Sequence, residues 1–394
     1  MAKQGEAGIS WTDETWNPIR ARYWEIQNNG SGRERLGWHC EKVSAACKHC
    51  YAEAMNLRLG TGLDYKPGNL FREEKRGFCN GEAEVFLDEK MLLSPLHWRK
   101  PRRIFTSSMT DIFGGWVKDE WLDRIWAVMA LCPQHTFLPL TKRPKRMRYY
   151  MTRPHRPGQF ITILDDGTRI DTPSAHICVR SAMCDLLPKA PPQALDFAAK
   201  WADDHYPDGD GFLRRWPLPN VWPGVTAEDQ ATANERIPDL LATPAAKRFV
   251  SIEPILGQID LTKIQTVING NSGVKNALTG DFWIPGCGSI SSTTLRGGPK
   301  LDWVICGGES GPKARPSHPN WYRSLRDQCA AAGVPFFFKQ QGNWAFCDGW
   351  EEWVPEPEPR IHIWPDGEMS ALVGKKCAGR LLDGRLHNEF PEMK

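Results

Sequence analysis

From Arg103 onward, short apolar runs alternate with longer amphipathic stretches, and each apolar run ends in polar residues. RIFTS (103–107) leads into Ser107, Ser108, Thr110 and Asp111, and TFLPL (136–140) into Thr141, Lys142 and Arg143. NVWPGV (220–225) leads into Thr226, Glu228 and Asp229, and RFVSI (248–252) into Glu253. DWVIC (302–306) is followed by Gly307, Gly308 and Glu309, and PFFF (335–338) by Lys339, Gln340 and Gln341. Helical periodicity marks residues 120–131, 232–241 and 321–332 between these runs. A weaker alternation over 9–19, closing on Asn-Pro, predicts a first strand, which makes about seven strands in all.

Short strands alternating with helices imply parallel βα units. An open doubly wound sheet binds ligands mainly at one switch point, whereas a closed barrel converges the carboxyl ends of all its strands on one axis. Polar residues at the end of every strand after the first therefore predict an α/β fold of the parallel (β/α) barrel type, complete or partial. The barrel is expected over 1–344, with a cysteine loop at 38–51 and insertions at about 20–37, 151–216 and 262–300. The first insertion reads as a flexible Gly/Arg-rich stretch. The second is expected to carry one helix near 193–201, and the last two are the stretches expected to be disordered. Residues 84–98 are expected to be helical. The segment 345–394, with VPEPEPR at 354–360, reads as a tail that packs across the barrel or covers its mouth.

Composition narrows the setting. With 41% hydrophobic and 25% charged residues the chain has a globular composition, and its net charge of +3 does not by itself imply a nucleic-acid partner. No apolar run approaches a membrane span, and the N-terminal MAKQGEAG offers no secretion signal, so no membrane association is expected. Twelve scattered Cys do not form a disulfide framework, which points to a reducing, cytoplasmic location. Cys132, Cys306 and Cys329 lie in apolar segments and read as buried thiols; Cys79, Cys178, Cys184, Cys287, Cys347 and Cys377 show no ligand spacing.

Cys40, Cys47 and Cys50 are different. They crowd into one loop that runs straight into a helical segment, and their thiolates are the soft ligands that zinc and iron–sulfur clusters select. The helix N-terminus after Cys50 favours thiolate over thiol. Such a site needs a fourth ligand from elsewhere or keeps an open position. A structural zinc would draw on His39, His49 or Cys79, but zinc knots usually come as two ligand pairs and no second C-x2-C or H-x3-H is present. That absence, with the loop's place at the barrel's functional face, favours an open-site cluster.

At the strand ends, Asp111, Glu228, Glu253 and Glu309 are candidate ligand contacts as well as ordinary caps or ion-pair partners. Gly307 and Gly308 would let a ligand approach the backbone closely. Lys142, Arg143, Lys339 and Gln340 directly follow strands and could meet a carboxylate or phosphate of a substrate at the barrel mouth. Trp11, Trp16, Trp222 and Trp344 could stack on a base or pack in the core.

The block WTDETWNP followed by C-x6-C-x2-C-Y-A-E resembles a phage- and prophage-associated three-cysteine-motif family. SSMTDIF, LTKRP, GVTAEDQ, SIEPILG, ICGGESGPKARP, FFFKQQGNW and GKKCAGRLLDGR add to the resemblance, which leaves out the three insertions. That family in turn resembles the radical S-adenosylmethionine (SAM) enzymes, whose spacing is usually C-x3-C-x2-C with an aromatic residue where His49 stands here. The resemblance implies a radical SAM-like barrel in which Cys40, Cys47 and Cys50 ligate a [4Fe–4S] cluster. An external electron donor would reduce it, and cleavage of SAM would give a radical that abstracts hydrogen from a substrate. It places Ser107, Ser108 and Asp111 at the SAM ammonium, and Glu253, Gly307 and Gly308 at its ribose and carboxylate. Thr226, Glu228 and Glu309 stand in the same set of loops. A phage setting and the basic residues at the mouth suggest a nucleotide or modified DNA base as substrate, with a companion protein encoded nearby. The alternative is a zinc-stabilised nucleic-acid-binding protein without catalysis. A third reading is a barrel that keeps the cluster and has lost SAM.

Overall fold

The computed structural model describes residues 9–26, 31–69, 82–153, 162–163, 169–170, 174–205, 216–286, 291–346 and 359–392. Cys79, Cys287, Cys347 and residues 354–358 of VPEPEPR lie outside them. The chain divides into two compact units. One comprises Met1–Val43, Cys50–Pro223 and Thr243–Ala246; the other comprises Ser44–His49, Gly224–Ala242 and Lys247–Lys394.

The first unit contains β1 (Glu14–Trp16), α1 (Tyr51–Leu59), β2 (Arg103–Thr106), α2 (Asp119–Ala130), β3 (Thr136–Thr141) and α3 (Pro144–Thr152). The three strands are parallel in the order β1-β2-β3, with Trp16 opposite Thr106 and Phe105 opposite Leu138. They read as continuous apolar runs because they are buried on both faces. In α2, Leu122, Ile125, Trp126 and Met129 recur at helical spacing and are buried, while Asp119 and Glu120 in its first turn suit the helix dipole. Pro144 at the start of α3 occupies a position that needs no backbone donor.

Two expectations are corrected in this unit. Residues 20–37, read as flexible, fall largely in a hairpin of Ile19–Ile26 and Gly32–Gly37, and Glu84–Leu87 adds a third antiparallel strand. Its polar composition hides cross-strand pairing: Arg22 meets Glu84 at 2.8 Å and Glu34 at 4.0 Å. The helix expected at 84–98 is a strand, one helical turn (Glu89–Leu92) capped by Asp88, and a 3-10 turn (Ser94–His97) containing Pro95. Within 151–216, helices run over Ser174–Leu186 and Pro192–His205, the latter where one was expected.

The second unit contains β4 (Gly224–Thr226), α4 (Gln230–Leu241), β5 (Phe249–Ile252), β6 (Trp303–Gly307), α5 (Pro319–Ala332) and β7 (Phe336–Gln340). These four strands are also parallel, in the order β4-β5-β6-β7, with a register shift between Cys306 and Gly307. Asp229 caps α4 in a reciprocal capping box with Thr232, and left-handed Gly333 ends α5. The stretch 262–300, expected to be disordered, carries a four-stranded antiparallel sheet of Ile264–Ile268, Asn271–Lys275, Phe282–Ile284 and Thr293–Leu295. Its glycines mislead because one of them is packed: a Cβ on Gly273 would lie 2.3 Å from the Trp283 carbonyl oxygen. The tail joins this unit. Glu389 Oε2 accepts from Phe336 N at 2.7 Å, Trp303 Nε1 donates to Glu389 O, and Phe390 packs on Trp303 and Phe337.

The fold is thus mixed α/β, with parallel strands and helices alternating as the sequence predicts, three strands in one unit and four in the other. Trp11, Trp16, Trp222 and Trp344 are all buried, which is the core-packing role. No helix of the described residues is long and apolar enough to cross a membrane.

Candidate functional site

In the first unit, Cys40 and Cys50 pack with Trp38 against a buried cluster of Ala52, Tyr65 and Met109. Cys50 is the N-cap of α1, and its thiol does not cap the helix. The loop after β2 is tied to this segment at successive residues. Tyr51 Oη donates to Ser108 O at 2.7 Å, Tyr65 Oη to Met109 O at 2.8 Å, and Thr110 Oγ1 to His39 O at 2.5 Å. From β1, Asn17 reaches the same loop through Ser108 Oγ and Met109 N. Neither Cys40 nor the β2 loop is therefore placed by local conformation alone; each is positioned by the other.

Two features of that loop are costly. Ser107 has a backbone φ of 62°, in the left-handed region that non-glycine residues rarely adopt. Its hydroxyl and that of Thr106 are buried without a hydrogen-bond partner. Strain and unsatisfied polar atoms at a strand's carboxyl end are typical of ligand sites.

Asp111 is buried and fully used. It accepts from Phe113 N, Thr141 Oγ1 (2.6 Å), Lys142 N (3.0 Å) and Arg143 Nη1 (2.9 Å), which fixes the end of β3. Two predicted residues, one assigned to the cofactor and one to the substrate, are thus an ion pair. Arg143 also lies over Trp116 (4.8 Å), which meets the edge of His39. Burial, and then Arg143, pulls the His39 pKa down to about 4, so its ring is neutral near pH 7. Burial likewise pushes the Cys40 thiol up to about 12, with Asp111 adding to this and Arg143 opposing it.

In the second unit, Cys47 sits in a 3-10 turn, Ala45–His49, held at three points. Ser44 Oγ donates to Glu228 Oε1 at 2.8 Å, Arg315 Nη2 donates to Ala45 O at 3.1 Å, and His49 Nδ1 lies 3.3 Å from Glu309 Oε2. Glu228 is wholly buried and pairs with Arg236 Nη1, which also donates to Thr226 O and Oγ1. Arg315 grips both oxygens of Glu309 (2.6 and 2.8 Å). Burial works to raise that carboxyl, but Arg315 and His49 outweigh it and hold it below its ordinary value. Farther along, Glu253 Oε1 accepts from Lys339 Nζ at 2.6 Å and from Gln340 Nε2 at 3.4 Å.

The two glycines after β6 differ. A Cβ on Gly308 would lie 1.9 Å from the Gln341 carbonyl oxygen, so packing requires glycine there; on Gly307 it would have ordinary clearance. Sequence reasoning missed Ser44, Tyr51, Tyr65, Trp116, Arg236 and Arg315. Of these, Arg236 carried a usable signal, since it lies eight residues after Glu228, on the helix that begins beside it.

None of the three thiols is in a disulfide, and each is partly accessible. Among the described residues no three His, Cys, Asp or Glu side chains are gathered as a metal-holding group.

A family model described as a protein of unknown function, DUF5131, matches residues 35–391. The chain belongs to that family. The match takes in the cysteine loop, every parallel strand except β1, and the segments 151–216 and 262–300 that the motif resemblance left aside. No curated protein and no solved structure matches the chain.

Proposed function

We propose that this DUF5131 protein is a cytoplasmic radical SAM-type enzyme from a phage-related setting, in which β1–β7 form a partial (β/α) barrel. Cys40, Cys47 and Cys50 would hold a [4Fe–4S] cluster. The donor set fits such a group: three unoxidised, partly accessible thiols on one loop, two of them packed against a buried apolar cluster. When bound and reduced by an external electron donor, the cluster supplies the electron that cleaves SAM.

The chain's own residues have the remaining tasks. Tyr51, Tyr65 and Thr110 keep the β2 loop against the cysteine segment, so that Ser107 and Ser108 face a fixed neighbour. Thr226, Glu228, Glu253 and Gly307 belong to the other SAM-binding loops in this reading, and Arg143, Lys339 and Gln340 to the substrate side. The buried cluster of Ala52, Tyr65 and Met109 excludes water from one side of the thiols. The substrate class is a nucleotide or modified DNA base, and a protein encoded nearby is a candidate partner.

The observation that carries this reading is the three-point tie between the loop that bears Cys40 and the loop after β2. Anaerobic reconstitution with iron and sulfide, metal quantitation and a SAM cleavage assay test it. The expected result is about four irons and four acid-labile sulfides per chain, with 5′-deoxyadenosine released under a strong reductant. One tightly bound zinc without sulfide would establish the nucleic-acid-binding alternative. Iron and sulfide without SAM turnover would leave a barrel that has lost SAM.

A further inference from the structure

The carboxyl ends of β6 and β7 hold a set of cations that the SAM reading does not use. Asn343 draws three segments together there. Its N–H donates to Glu309 O, its side chain exchanges hydrogen bonds with Gly311 N and O, and its carbonyl accepts from Val373 N and Gly374 N at 3.0 Å each. Gln341 continues the strap, with its N–H on Gly379 O and its Nε2 on Leu381 O. Arg380 Nε donates to Lys339 O at 2.7 Å. The short helix Lys375–Ala378 is therefore fastened beside the end of β7, with Lys375 as its first residue.

Charge does not balance there. Glu253 is already engaged by Lys339 at 2.6 Å, and Lys375 lies within electrostatic reach of both. Among the described residues Lys375 has no ion pair of its own. Burial, then repulsion by Lys339, pulls its amine below the ordinary lysine value, while Glu253 opposes both. One carboxylate shared by two ammonium groups leaves a positive charge uncompensated, and placing an anion beside it is the direct way to neutralise it. Gln340 Nε2, held on Ser310 Oγ at 2.9 Å, adds an amide donor beside the two lysines.

We infer that Lys375, with Lys339 and Gln340, forms an anion site for a phosphate group of the substrate at the carboxyl ends of β5, β6 and β7. Lysines act as point charges and suit phosphate, which presents several equivalent oxygens without a fixed fork geometry. This names the substrate class for the site proposed above and rests on that reading for its place in the reaction. Binding itself does not require the cluster.

The test is isothermal titration of the purified full chain with inorganic phosphate and with a 5′-mononucleotide, at constant ionic strength, with iron content recorded on the same sample. Both ligands are expected to bind the wild-type chain, the mononucleotide more tightly if the phosphate arrives on a nucleotide. Lys375→Ala should weaken phosphate binding about tenfold, the loss expected for one charged hydrogen bond. Glu253→Gln, which frees Lys339, should tighten it, and Lys376→Ala on the neighbouring exposed lysine should leave it within about twofold. Equal affinity in wild type and Lys375→Ala, or equal losses in Lys375→Ala and Lys376→Ala, would overturn the site. Either of these results leaves the iron and SAM assays untouched, and failure of those assays leaves the phosphate titration readable.

Discussion

Arg236 Nη1 lies 3.1 Å from Glu228 Oε1, and neither side chain is more than 2% exposed. The same carboxylate oxygen accepts from Ser44, which begins the turn that carries Cys47. A single buried acid thus stabilises α4 against β4 and anchors a ligand turn. Replacing Glu228 with Ala strands the guanidinium in the interior, and a loss of about 3–5 kcal/mol is expected in urea unfolding. The paired change Glu228→Gln with Arg236→Met removes both charges together and should cost clearly less than the single variant. A double variant as unstable as the single one would show that packing dominates over charge.

The two glycines after β6 provide a sharp contrast. Gly308→Ala pushes a methyl group into the Gln341 carbonyl and should destabilise the protein by about 3 kcal/mol or more, because the obstacle is backbone. Gly307→Ala should cost less than about 1 kcal/mol. Chemical denaturation of both variants checks the difference, and equal losses would count against the bulge geometry at Cys306–Gly307.

Acid should weaken the protein before its carboxylates titrate. His39 and His135 both have pKa values of about 4 against an ordinary 6.5, chiefly through burial. Between those values the unfolded chain binds more protons than the native one, so stability falls as pH drops from 6.5 towards 4 and is retained above 6.5. Each histidine contributes at most about 1.4 kcal/mol per pH unit in that window. Urea midpoints at pH 7 and pH 5 measure the slope, and His135→Asn should flatten it by about one proton. Glu309, held below its usual value, adds a further loss only at lower pH.

Serine at Cys40, Cys47 or Cys50 should abolish iron uptake on reconstitution, one substitution being enough. Serine at the buried Cys132, Cys306 or Cys329 should leave iron uptake unchanged at a modest cost in stability. Iron retained by all three loop variants would remove the cluster from the proposal.

Much of the fold was legible because a parallel strand buried on both faces is written as an unbroken apolar run. Phe249–Ile252 and Phe336–Phe338 could hardly read otherwise. Surface sheets are harder to read: Val267 and Trp283 are exposed among Gly, Ser and Asn, so composition suggested disorder where a ladder stands. The candidate site was half legible. Positions such as Asp111, Glu228 and Glu253 follow from their place after a strand, but their partners do not. Arg143, Arg236 and Lys339 reach them through the tertiary fold, and sequence spacing alone does not say which cation answers which acid.

Ser107 sets thermodynamic comfort against use. Glycine tolerates a φ of 62° without the Cβ penalty and leaves no hydroxyl buried alone, so Ser107→Gly should raise stability by about 1 kcal/mol, as thermal unfolding would show. If that hydroxyl meets SAM, the sturdier variant will be the poorer catalyst. A chain tuned for endurance alone would have a hydrogen atom at this corner, and the oxygen it carries instead shows where robustness has been traded for work.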